Sequence, residues 1–202
     1  TTPRKYTEHY YKRFIQFMDE APISNKDIVM LGNSLTENGG NWAARLGIKH
    51  VRNRGIIGDE VMGVYDRLHQ ILPGHPAKLF LLIGVNDISH GLTSDSIVSM
   101  IRTTVARIRK ESPATRLYLQ SLLPINESFG RYKRLTGKTS MIPEINKQLE
   151  ALAKEKGLTY INLFPLFTEK GSNVLRADLT TDGLHLKEEG YKIWVKAIKK
   201  KI

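Results

Sequence analysis

Short apolar runs alternate along the chain with longer stretches in which apolar residues recur at helical spacing. Residues 27–31, 50–53, 79–83, 116–121 and 159–163 read as strands. Between them, residues 6–18 carry Tyr10, Phe14, Phe17 and Met18 on a helical repeat that Pro22 ends. Residues 60–71 place Val61, Val64, Leu68 and Ile71 on one face, stopped by Pro73-Gly74. Residues 94–110 repeat Ile97, Ile101, Val105 and Ile108 ahead of Pro113, and residues 141–156 close at Gly157. A last helix over 187–201 turns Tyr191, Trp194, Val195 and Ile198 inward. Alternating strands and helices predict an α/β fold with a parallel sheet of about five strands. The unbroken apolar run Leu79-Phe80-Leu81-Leu82-Ile83 suits a strand covered on both faces. No repeat, low-complexity tract or Pro/Gly-rich linker divides the chain, so one domain over 1–202 is expected.

Composition narrows the chemistry. The 202 residues contain no cysteine, which excludes disulfides, thiolate-bound zinc, iron–sulfur clusters and a cysteine nucleophile. No apolar run reaches the roughly 18 residues a membrane helix needs, so a membrane span is not expected. No apolar signal-peptide core lies near Thr1; the expectation is a soluble protein, compatible with the cytoplasm or with export after removal of a leader. The formal charge of +11 raises nucleic acid or an anionic surface as partners. The basic residues are dispersed, however, from Arg4 and Lys5 to the tail Lys199-Lys200-Lys201, as solvated helix faces are. With no nucleic-acid-binding motif in the sequence, no nucleic-acid partner is expected. Residues 126–140 stand out as polar, basic and Gly-containing. They follow the carboxyl end of the fourth predicted strand, the edge where open α/β sheets bind ligands.

Four short motifs fall at that same edge. Gly32-Asn33-Ser34-Leu35-Thr36 follows the first strand, where Ser34 can offer a hydroxyl and a backbone N–H, or simply form a turn or helix cap. Thr36 stands where a G-x-S-x-G elbow needs its second glycine, which argues against an α/β-hydrolase. Gly58, after the second strand, permits close approach of backbone to a ligand, and serves equally as a turn glycine. In Gly84-Val85-Asn86-Asp87, Asn86 can donate to a developing oxyanion, or Asn86 and Asp87 can cap a turn. In Asp182-Gly183-Leu184-His185 a carboxylate three residues ahead of an imidazole can orient the ring and stabilise its protonated form. Each motif alone has a bland structural explanation. A nucleophile, two donors and an Asp-His pair at one end of one sheet are harder to assign to coincidence.

In that order, from Gly32 to His185, the four blocks resemble those of the SGNH hydrolases, a branch of the GDSL esterases and lipases. Within it the chain looks most like bacterial acetylhydrolases similar to platelet-activating-factor acetylhydrolase catalytic subunits and to sialate or carbohydrate O-acetylesterases. The resemblance implies a flavodoxin-like three-layer α/β/α sandwich. It implies Ser34 as nucleophile, His185 as general base paired with Asp182, and an oxyanion hole of the Ser34 and Gly58 N–H groups with the Asn86 amide. No metal or organic cofactor enters such chemistry. One position departs from the family pattern: Asn33 stands where Gly-Asp-Ser has its Asp. Asparagine keeps the shape and the carbonyl acceptor but loses the charge. Because Asp182 still supplies a carboxylate, activity is expected to be retained.

The expected partner is a small ester, with a short acyl group, acetyl foremost, on a carbohydrate-like alcohol such as an O-acetylated sugar. Phe129 and Tyr132 beside Arg131, Lys133 and Arg134 suit a polar or anionic alcohol portion. A lysophospholipase or thioesterase of the same family is the nearest alternative, and a non-catalytic flavodoxin-like binding module is the alternative from another class. Trp42 can line a pocket or pack in the core. The remaining histidines, His9, His50, His69, His75 and His90, show no metal-ligand spacing and receive no role.

Overall fold

A computed structural model describes residues 3–202. Five strands, β1 (Ile28–Gly32), β2 (Val51–Gly55), β3 (Lys78–Leu82), β4 (Arg116–Gln120) and β5 (Thr159–Ile161), form one all-parallel sheet in the order β2-β1-β3-β4-β5. That order is the flavodoxin-like one, and helices on both faces complete an α/β/α sandwich. All five residues of β1 are buried, as are the last four of β3, which explains why these strands are continuously apolar rather than alternating.

The helices are α1 (Glu8–Asp19), α2 (Ser34–Glu37), α3 (Trp42–Leu46), α4 (Val61–Tyr65), α5 (Val85–Ser89), α6 (Ser94–Glu111), α7 (Met141–Lys156) and α8 (Glu188–Ile198). Helix α6 packs between α4 and α7, burying Ile97, Ile101, Val105 and Ile108 on the predicted stripe. Trp194 of α8 meets Trp42 of α3 edge-on at 4.9 Å and donates from its indole to Gln120 Oε1 at the end of β4. Trp42 is therefore a core residue, its own indole bonded to the Thr36 carbonyl.

The single helix expected over 60–71 is not what forms. Helix α4 stops at Tyr65, and two 3-10 turns, Leu68–Gln70 and Leu72–Gly74, carry the chain on. The apolar stripe survives, since Val61, Val64, Leu68 and Ile71 are all buried. The break follows from Arg67, whose side chain is drawn into the interior to hydrogen-bond the carbonyls of Gly32 and Arg54. The expected last helix over 187–201 likewise ends at Ile198, with the lysine-rich end in a 3-10 turn.

The strand order reverses between β1 and β3, which opens a crevice at their carboxyl ends. Ser34 begins the helix that follows β1, and Asn86 lies in the one that follows β3. The fold thus brings to one crevice two segments that are about fifty residues apart in sequence.

Candidate active site

Ser34 is the first residue of α2, and Asn33 is its N-cap, accepting from the Leu35 N–H at 3.0 Å. Asparagine caps a helix as well as aspartate does, so the unusual residue preserves the turn that presents the serine. Its Nδ2 is buried and has no hydrogen-bond partner among the described residues.

The Ser34 hydroxyl lies 2.9 Å from His185 Nε2, across 151 positions of sequence. On the other side of the ring, His185 Nδ1 lies 2.6 Å from Asp182 Oδ2. An ionised carboxylate only accepts, which assigns the proton to Nδ1 and leaves Nε2 as the acceptor facing Ser34. The second carboxylate oxygen accepts from the backbone N–H groups of Leu184 and His185, at 2.9 and 2.7 Å. Burial works to raise the Asp182 carboxyl, but these bonds from the imidazole and the two amides overcome it and hold the group at about 2. The turn is closed by Thr180, whose hydroxyl accepts from the Gly183 N–H at 2.9 Å. Gly183 has φ +87°, and a Cβ there would run into the Asn126 carbonyl, so only glycine fits directly after Asp182.

Asn86 Nδ2 donates to the main-chain oxygen of Asp59 at 2.8 Å, which fixes the amide and leaves its other N–H free for a ligand. Gly58 has φ +83°, and nothing stands within 4 Å of where its Cβ would be: the glycine serves the backbone conformation and borders open space. Ser34, Gly58, Asn86 and His185 line one cavity of about 490 Å³, together with Ile57, Leu135 and Leu184. All five sequence-derived residues, Ser34, Gly58, Asn86, Asp182 and His185, are thus drawn together, Asp182 lying just behind the imidazole.

A family model matches residues 30–193, the greater part of the sequence. The chain belongs to the GDSL-like lipase/acylhydrolase family. It is accordingly a carboxylic ester hydrolase by family. The fold resembles that of a Streptococcus pneumonia protein provisionally named a platelet activating factor, with TM-score 0.82 and 25% identity over 96% of this chain and 91% of the other. A GDSL-like lipase from Bacteroides thetaiotaomicron aligns with TM-score 0.82 and 22% identity over 95% of this chain and 96% of that one. An acetyl xylan esterase aligns with TM-score 0.71 and 20% identity, covering 87% and 99%. These last two likenesses establish a common fold. No curated protein matches the chain.

Two residues around the candidate site escaped sequence reasoning, and a third, Asp87, was read only as a turn cap. Tyr132, noted only as a loop aromatic, donates its hydroxyl to Asp182 Oδ2 at 3.0 Å and lies 3.2 Å from His185 Nδ1. Burial and then the neighbouring Asp182 push its phenol upward, so it remains a donor. Arg67, with no exposed surface, pairs with buried Asp59 at 2.9 Å while holding the carboxyl ends of β1 and β2 through Gly32 and Arg54. A signal for it existed: Arg67 falls three residues after Val64 and four before Ile71, a charge on the apolar stripe. Asp87, next to Asn86, is buried and accepts from the first amide of α4 at 3.2 Å. Burial, then the charge of Glu60, pushes its carboxyl up to about 7.

Among the described residues, no helix is long and apolar enough to cross a membrane. No group of three or more potential metal ligands occurs there either.

Proposed function

We propose that the chain is a serine esterase that removes short acyl groups, acetyl foremost, from a carbohydrate-like alcohol, with Ser34 as nucleophile. The observation that carries this reading is the unbroken hydrogen-bonded line from Ser34 Oγ through the imidazole to Asp182, at 2.9 and 2.6 Å. A serine hydroxyl is a poor nucleophile until a base takes its proton. His185 Nε2 accepts that proton as Ser34 Oγ attacks the ester carbon, and Asp182 stabilises the resulting imidazolium. The charge that collects on the carbonyl oxygen is met by the Ser34 and Gly58 N–H groups and the free N–H of Asn86. Loss of one such donor costs on the order of a hundred- to a thousandfold in turnover. His185 then protonates the departing alcohol, and water releases the acyl group by the reverse path.

The cavity of about 490 Å³, with the apolar Ile57, Leu135 and Leu184 in its lining, has room for a small ester, and the acetyl preference is supported by the similarity to an acetyl xylan esterase. That similarity also supports a sugar alcohol. The test is a series of p-nitrophenyl esters from acetyl to octanoyl, followed by acetate release from acetylated xylo-oligosaccharides. Turnover should peak at acetyl and extend to the acetylated sugar. A peak at long chains, with no acetate released, would overturn the acetyl assignment and favour a lysophospholipase.

A further inference from the structure

The cavity that holds Ser34 and His185 is lined also by Arg131, Lys133 and Arg134, and no carboxylate lines it. None of these three cations forms an ion pair among the described residues. Unpaired lysines are common in this +11 chain, but among the described residues nine of the thirteen arginines are paired with an acid, and Arg131 and Arg134 are exceptions together with Arg109 and Arg116. The one acid in the same loop, Glu127, is already engaged by backbone: its carboxylate accepts from the N–H groups of Gly137 at 2.6 Å and Thr139 at 3.2 Å. Glu127 lines the neighbouring cavity, which shares Arg131, Tyr132, Lys133 and Leu135 with this one, and does not line the cavity that holds Ser34.

The loop is also held in place. Leu135 is buried, the Tyr132 hydroxyl is bonded to Asp182, and the Asn126 N–H donates to the Gly183 carbonyl at 2.8 Å. Three exposed cations without an acid partner therefore stand, on an anchored backbone, around the cleft in which Ser34 is buried. Uncompensated like charges around a concave surface concentrate counter-ions there. Within the loop Tyr132 lies 3.2 Å from His185 Nδ1, and His185 is the residue that protonates the departing alcohol in the proposed mechanism, so the cations flanking Tyr132 are assigned to the alcohol portion.

We infer that Arg131, Lys133 and Arg134 form an anion subsite, and that the ester cleaved at Ser34 carries a negative group, carboxylate or phosphate, on its alcohol portion. This rests on the esterase reading and narrows it, from a sugar-like alcohol to an anionic one. Arginine suits both groups because its planar fork matches either oxyanion, with lysine adding a point charge.

The experiment compares three acetate esters of similar size: 4-acetoxybenzoate, 4-acetoxyphenyl phosphate and the neutral 4-acetoxybenzamide. Expected is a kcat/KM for at least one anionic ester about tenfold above that of the amide, from charges a few ångströms apart at partly screened separation. That preference should collapse between about 0.02 M and about 0.5 M salt. The carboxylate and phosphate arms decide which anion fits. In the triple variant Arg131→Gln, Lys133→Gln, Arg134→Gln the ratio should fall toward one, and Arg131→Lys with Arg134→Lys should keep most of it. Equal rates for all three esters in the unsubstituted protein, or an unchanged ratio in the triple variant, would overturn the subsite while leaving the esterase intact. Binding provides a readout independent of turnover: titration calorimetry of 4-hydroxybenzoate and 4-hydroxyphenyl phosphate into the Ser34→Ala protein. At least one should bind more tightly than 4-hydroxybenzamide and lose that advantage in the Gln background. No difference among the three would also refute the subsite, whether or not any ester is hydrolysed.

Discussion

Replacing Arg67 by Met tests whether the site is anchored as described. Methionine fills similar volume but removes the guanidinium that bonds Asp59 Oδ2, the Arg54 carbonyl at 2.9 Å and the Gly32 carbonyl at 3.0 Å. Both partners of the ion pair are buried, so the variant leaves a carboxylate without its cation in the interior. Breaking such a pair from one side costs about 3–5 kcal/mol, and the two deprived carbonyls push toward the upper end. For a chain of this length that is a fall in Tm of roughly 6–20 °C. The pH dependence is diagnostic. Burial raises the Asp59 carboxyl even with Arg67 pulling it down, and without Arg67 it rises further. The unfolded chain ionises this group near about pH 4, whereas the folded variant keeps it neutral. Stability of the variant therefore falls as pH rises from about 4, and levels off once the raised folded value is passed. The gap to the unsubstituted protein should be widest at alkaline pH and narrow on acidification. Urea unfolding followed by circular dichroism at several pH values measures it. Adding Asp59→Asn removes the stranded charge and should recover about 1–3 kcal/mol. A cost below about 1 kcal/mol that is independent of pH, with no recovery in the double variant, would refute this account of the pair.

Three further outcomes are expected. Tyr132→Phe deletes the phenol that shares Asp182 Oδ2 with the imidazole, so kcat should drop by roughly three- to thirtyfold with KM little changed; an unchanged kcat would make Tyr132 a packing residue only. Asp87→Asn should stabilise the fold at pH 8 by about 1–3 kcal/mol and flatten the loss of stability that a carboxyl raised to about 7 imposes between about pH 4 and 7; an unaltered pH–stability profile from chemical denaturation would contradict this. Asn86→Ala should lower kcat by roughly a hundredfold or more with little change in KM, as for a donor engaged mainly in the transition state, and steady-state kinetics with a KM-only effect would rule that role out.

What could be read from the sequence depended on the range of the interaction. Strands β1 and β3 were legible because burial on both faces leaves a continuous apolar run, as in Leu79 to Ile83, whatever the tertiary detail. The long helices α6 and α7 declare themselves by periodicity and by stops at Pro113 and Gly157. The short helices α2, α3 and α5 did not, since four or five residues span too little of a period to register. Ser34, Asn86, Asp182 and His185 stood out because each sits in a compact motif, the first two just beyond a strand and the Asp-His pair just ahead of the last helix. Tyr132 and Arg67 act through partners 50 and 35 positions away, Asp182 and the Gly32 carbonyl, and no local pattern encodes those meetings. The helix expected over 60–71 failed for the same reason: a long-range demand for the Arg67 side chain overrode local propensity.

Covalent capture at Ser34 is the most direct measurement. The protein is incubated with a short-chain p-nitrophenyl phosphonate, digested and analysed by mass spectrometry, with Ser34→Ala and His185→Ala treated alongside. The phosphonyl group should appear on the peptide containing Ser34, at a rate that falls by orders of magnitude without His185 and to nothing without Ser34. Labelling of another residue that persists in Ser34→Ala, or rates unchanged by loss of His185, would contradict the assignment of nucleophile and base.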